Sequence, residues 1–146
     1  MTNNLNPKHQ QFTFGPRVDI SSIPTQVVQN LQEMLDDLGG VPPNVVTLNG
    51  FFARYNPNGD LLVDLFIRNG LKTPIRDFHG RVQVITRERN VIAVDDFQFT
   101  LAEFGELQSG NSRPWTLFFD RRCVMRRLEP IGLYTLDTRM YFEKSQ

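Results

Sequence analysis

Two hydrophobic periodicities divide the chain. Between residues 24 and 38 the apolar positions are Val27, Val28, Leu31, Met34, Leu35 and Leu38. Their spacing by threes and fours lines one side of an α-helix. The punctuation agrees. Pro24 suits a first helical turn, where its missing N–H costs nothing, and Gly39 suits the left-handed position just past a helix end. Pro42-Pro43 then prevents the helix from resuming. Gln29, Gln32, Glu33, Asp36 and Asp37 form the polar face, and the acids near its C-terminal end oppose the helix dipole, a mild cost. Such a stripe is more often docked on its own domain than offered to a partner.

From Val45 onward the period becomes two. Residues 45–55 predict a strand, and Asn56-Pro57-Asn58-Gly59 a tight turn with Gly59 in the left-handed position. Residues 60–68 predict the return strand, with Leu61, Val63, Leu65 and Ile67 toward a core and Leu62, Asp64, Phe66 and Arg68 opposite. The apolar Leu62 and Phe66 on that second face predict at least partial cover on both sides. Further strands are predicted over 75–86 (Phe78, Val82 and Val84 on one face), 91–99 (Val91, Ala93, Phe97, Phe99), 115–119 (Trp115, Leu117, Phe119) and 133–142 (Tyr134, Leu136, Met140, Phe142). Thr100-Leu101-Ala102-Glu103 fits a capping box closed by Gly105, and Asn69-Gly70 suits a turn needing positive φ.

The first twenty residues are polar, with Phe12, Phe14 and Val18 as the strong anchors. They predict a flexible arm that settles onto the domain near Phe12. The expected organisation is a single domain: arm over 1–20, amphipathic helix over 21–40 packed on the domain, and β-sandwich over 44–146. The fold class is mainly β, an immunoglobulin-like antiparallel β-sandwich with an N-terminal amphipathic helix. No βαβ alternation is present, which argues against a parallel-sheet enzyme fold.

Composition narrows the function classes. The 146 residues are an ordinary size for one domain. Sixteen basic and sixteen acidic residues cancel, so there is no global field to drive non-specific nucleic-acid binding. One cysteine, Cys123, excludes an internal disulfide and any zinc spacing. With no signal-peptide pattern at the N-terminus and no long apolar run, the expected location is the cytoplasm, with association at a membrane face left open.

Candidate chemistry is sparse. Arg121, Arg122, Arg126 and Arg127 surround Cys123 in sequence and could lower its pKa toward a nucleophile. A cysteine enzyme also needs a histidine base, and the two histidines are His9, in the arm, and His79, at a strand position. No catalytic residue is assigned and an enzyme is not expected. Asp95 and Asp96 point to opposite faces of a strand, and the Asn56, Asn58, Asp60 run reads as a turn rather than a calcium loop, so neither a metal site nor a cofactor is predicted.

The arginine cluster weighs more. Arg113, Arg121, Arg122, Arg126 and Arg127 form the candidate partner-binding set, a local positive patch on a neutral protein. An acidic protein surface, anionic lipid headgroups or nucleic acid could take it. The competing reading is a solvated loop whose arginines pair with Asp120, Glu129 and other surface acids, as short charge runs usually do. An open strand edge or the helix stripe could also support a homodimer.

Three motifs in order resemble a known family. These are the run from Gly59 to Ile75 around Phe66-Ile67-Arg68-Asn69-Gly70-Leu71, the segment Phe97-Gln98-Phe99-Thr100-Leu101-Ala102-Glu103-Phe104-Gly105-Glu106-Leu107, and Ser112-Arg113-Pro114-Trp115-Thr116-Leu117-Phe118-Phe119. Together they resemble the SLAP domain of Gram-positive bacilli, named for S-layer assembly proteins associated with accessory Sec secretion. The likeness covers residues 24–119 and leaves the tail from Arg121 outside. The named assembly proteins carry the domain in duplicate, whereas one copy is visible here. The resemblance implies a non-enzymatic helper in secretion or cell-surface assembly. It would act on the cytoplasmic side upon a secretion component or an exported protein. The motif residues themselves look structural.

Overall fold

The computed structural model describes residues 10–129 and 131–142, so His9 lies outside the described residues. Six strands form two antiparallel three-stranded sheets. One has the order β1 (Val46–Tyr55), β2 (Leu61–Asn69), β5 (Ser112–Phe119), and the other β4 (Val91–Phe99), β3 (Phe78–Thr86), β6 (Tyr134–Tyr141). The pattern matches an immunoglobulin-like sandwich, β1-β2-β5 standing where A-B-E stand and β4-β3-β6 where C′-C-F stand. Among the described residues no strand occupies the G position beside β6.

The alternation in β2 sets the core. Leu61, Val63, Leu65 and Ile67 are fully buried and meet Phe78, Val82 and Val84 of β3, Phe99 of β4, and Leu117 and Phe119 of β5. Phe78 is the aromatic centre, stacked on Phe99 at 4.5 Å and edge-on to Phe104 at 5.2 Å. These are the offset and T-shaped arrangements that ring quadrupoles favour. Tyr134 of β6 fits against Gly50 of β1, where a Cβ would come within 2.7 Å of its hydroxyl.

The second face of β2 is covered as the sequence predicts. The helix α1 (Thr25–Asp37) buries Leu31 and Leu35 against Phe66, with Phe12, Phe14 and Phe51 around them. Arg68, on the same face, is 2% exposed and donates through Nη2 to the Gly39 carbonyl just past the helix end. A cation there complements the negative end of the helix dipole, which the acids of the last turn do not. Residues 11–13 lie along the start of β5, with Phe12 bridged to Ser112.

Local readings change in four places. The third strand begins at Phe78, not residue 75, because Ile75 leaves the sheet to bridge Leu107. The fifth begins at Ser112, three residues earlier than its alternation indicated. In β4 a register shift opposite Val84 and Ile85 puts both Ile92 and Ala93 in the core and leaves Val91 half-buried. The short capped turn over 101–104 keeps its reading: Thr100 Oγ1 accepts from the Glu103 amide at 3.2 Å and Gly105 takes φ 81°. Gly70, in contrast, is not a positive-φ glycine. It is needed because the 42–45 segment runs against it: a Cβ there would collide with the Pro42 carbonyl.

Candidate protein-binding surface

Four of the five arginines singled out above collect at one end of the sandwich, on the segment that follows β5. Its backbone is held at three points. Asp120 caps a 3-10 turn at Arg121–Cys123, and its Oδ1 accepts from the amide and the Nε of Arg122, both at 2.9 Å. The Arg121 amide donates to Asp60 Oδ1 at 2.7 Å, tying the segment to the β1–β2 hairpin. The Met125 amide donates to the Ile92 carbonyl at 2.8 Å while Val124 bridges Ala93, so the segment also covers the edge of β4. Tyr55 is the third hold: its hydroxyl accepts from the Leu128 amide at 3.1 Å and its ring lies 4.6 Å beneath the Arg127 guanidinium.

The arginines divide by partner. Arg122 is committed to Asp120, and the exchange holds the Asp120 carboxyl below the ordinary carboxylate range and the Arg122 guanidinium above its usual value. Arg127 pairs with Glu129 at 2.6 Å. These are the solvated pairings expected of a short charge run. Arg121 and Arg126 are exposed and have no ion pair among the described residues. Met125 stands between them, 68% exposed. Arginine and methionine on a rigid backbone is a composition typical of protein interfaces.

Arg113 does not belong to this surface. It sits at the opposite end of β5, and the six strand steps from Arg113 to Phe119 span roughly 20 Å. Its side chain is buried and donates to the Thr13 carbonyl (2.9 Å), Thr13 Oγ1 (2.9 Å), the Phe104 carbonyl and the Glu106 carbonyl (3.4 Å). It also lies 4.9 Å over the Phe104 ring. It is a structural tie between the arm and the 100–107 turn, because its donors are spent on the buried Phe104 carbonyl and on partly buried acceptors of Thr13 and Glu106.

The arginines do not activate Cys123. Partial burial is the first cause pushing its thiol up, the Asp95 carboxylate adds to it, and Arg122 only partly opposes them. Alkylation of Cys123 should therefore follow a pH–rate profile whose inflection lies above the roughly 8.5 of a free thiol, and an inflection below that value would contradict the geometry. Among the described residues, no cluster of three or more metal-ligating side chains is present, and no helix is long and apolar enough to cross a membrane.

Tyr55, Asp60 and Met125 escaped the sequence reading. Tyr55 and Asp60 read only as hairpin positions, and nothing local announces that a segment sixty residues later packs on them. No curated protein matches the chain. The family model of the SLAP domain matches residues 14–137, which extends the likeness seen in the motifs through the arginine segment and into β6. The match spans most of the chain, and the protein belongs to the SLAP domain family.

Proposed function

We propose that this domain is a non-enzymatic protein-binding or scaffolding module. In this reading it is an accessory factor in protein secretion or S-layer and cell-surface assembly, working on the cytoplasmic side. The observation that carries the reading is the basic end of the sandwich. Arg121 and Arg126 flank exposed Met125 on a backbone strapped to the β1–β2 hairpin, the β4 edge and Tyr55. A rigid support lowers the ordering cost of binding, and guanidinium groups suit bidentate contact with carboxylates. The expected partner is an acidic patch on a secretion component or an exported protein. Family membership supports the biological setting.

The test compares wild type with a variant in which Arg121, Arg122, Arg126 and Arg127 are all Ala, matched in far-UV spectrum and melting point. Wild type should capture a secretion component or exported surface protein from host lysate, and the variant should lose it. Capture that survives the four substitutions would remove the arginine surface from the reading. Retention only of nucleic acid, released steeply by salt, would replace a protein partner with an anionic polymer.

A further inference from the structure

The four sheet edges are not equivalent. That of β5 is met by residues 11–13 at its start and carries Pro114, which cannot donate a ladder bond. The edge of β4 is covered at Ile92 and Ala93 by residues 124–126. β1 is interrupted by a bulge between Gly50 and Phe52. Among the described residues only β6 is both regular and unpaired on one side: its eight residues pair with β3 without a register shift, and no described strand is hydrogen-bonded to its other side, β1 meeting it across the sandwich where Tyr134 packs on Gly50. Charges, bulges, prolines and covering segments are the usual means of blunting an edge.

The inward side chains register this opening. Leu136 and Met140 face the core from β6 but are only half-buried, whereas Val82 and Val84 of the neighbouring strand are fully buried. The direction of the free backbone groups also follows. The Arg87 amide donates to the Leu133 carbonyl, so the peptide groups of Leu133 face β3. By alternation those of Tyr134, Leu136, Thr138 and Met140 face away from it.

The sequence of β6 is complementary to itself. An antiparallel pairing of two copies centred on Thr138 opposes each residue to the one equally far on the other side. Asp137 then faces Arg139 twice, Leu136 faces Met140 twice, and Thr135 faces Tyr141 twice. Leu136, Thr138 and Met140 carry the outward-facing peptide groups, so they become the hydrogen-bonded pairs. Asp137 and Arg139 fall in the non-hydrogen-bonded pairs, whose Cα atoms approach to about 4.5 Å. Neither has an ion pair among the described residues. Within its own sheet Arg139 stands directly opposite Arg81, which itself pairs with Asp96 at 3.4 Å. Like charges opposed across strands are unfavourable, and an incoming Asp137 relieves that.

We propose that β6 is a homodimerisation edge, and that a second copy of this chain pairs with it antiparallel about Thr138. The two β4-β3-β6 sheets join into one continuous six-stranded sheet, and Leu136 and Met140 complete their burial across the junction. The interface is isologous, as a two-fold axis requires. The Asp137–Arg139 pairs fix the register more than the affinity, since each is solvent-exposed.

Sedimentation velocity on the full chain over a concentration series tests this. Wild type should show reversible monomer–dimer exchange. Asp137→Arg and Arg139→Asp should each weaken it by more than about tenfold, because they set like charges face to face. The double swap should restore it. Thr138→Pro removes an outward N–H at the two-fold and should also abolish the dimer; should that variant fold poorly, the charge variants, on exposed positions, still decide. A wild type that stays monomeric at every concentration overturns the proposal, and so do a dimer indifferent to these substitutions and a double swap that fails to recover it. The fourfold arginine-to-alanine variant should dimerise like wild type, so this edge and the basic surface stand or fall separately.

Discussion

Arg113→Ala should lower the unfolding free energy by about 3 kcal/mol and release the arm around Thr13 from β5. The side chain makes four hydrogen bonds to Thr13, Phe104 and Glu106 while 5% exposed, so its removal leaves the buried Phe104 carbonyl without this donor and frees the partly buried acceptors of Thr13 and Glu106. An unsatisfied buried acceptor costs on the order of 1–3 kcal/mol, and loss of the guanidinium over Phe104 adds to this. Urea denaturation supplies the free energy. Hydrogen exchange at the Thr13 amide, bonded to the Ser112 carbonyl at 3.0 Å, reports the arm. Arg113→Lys should recover little, because a single ammonium cannot reproduce a planar fork of donors. A loss below about 1 kcal/mol, within the range of ordinary surface substitutions, would mean that Arg113 is not the tie described here.

Gly70→Ala should be at least as damaging, costing about 4 kcal/mol or more, in the range reserved for a specific structural clash. The Gly70 amide donates to the Val45 carbonyl at 2.8 Å and its carbonyl accepts from the Asn44 amide at 2.7 Å, so the 42–45 segment lies flat against it. A methyl group would strike the Pro42 carbonyl and come within 2.6 Å of the Val45 carbonyl. Both obstacles are backbone atoms, so no rotamer change relieves them. Relaxation would have to move the segment between the α1 end and β1, including the Gly39 carbonyl that holds Arg68. Gly40→Ala is the control, since a Cβ there meets nothing within 4 Å. Equal melting points for the two variants would sink the explanation.

These two positions show where the sequence stopped being informative. In sequence Arg113 groups with the distal arginines, being close to them along the chain and carrying the same charge. A β-strand separates its ends by its full length, and burial of the Arg113 side chain makes the same charge a donor to Thr13, Phe104 and Glu106. Locally Asn69-Gly70 is a turn dipeptide, which predicts a turn glycine at Gly70. The constraint instead comes from a chain segment some twenty-five residues earlier, which no local rule contains. Ile92 is the same lesson in β4, where a bulge changed parity that strict alternation would have kept.

Other features were legible because their causes are local. The period of two in Leu61, Val63, Leu65 and Ile67 decides which face is buried whatever lies opposite, and all four are buried. The threes and fours of α1, with Gly39 at φ 80°, required only a sheet face to dock on, and Phe66 already marked that face as apolar. The SLAP likeness was legible for the same reason, since its motifs are strand and turn segments whose order survives without coordinates.

The sequence by itself thus determined the class of fold, the helix and its buried stripe, the β2 core and the family. Tertiary structure alone decided which arginines share a surface, that Asp120 and Glu129 neutralise two of them while Arg121 and Arg126 stay exposed, and that β6 has no hydrogen-bonded strand on one side among the described residues. Strand order and packing between distant segments govern those outcomes, because hydrogen-bond partners and burial are properties of neighbours in space rather than along the chain.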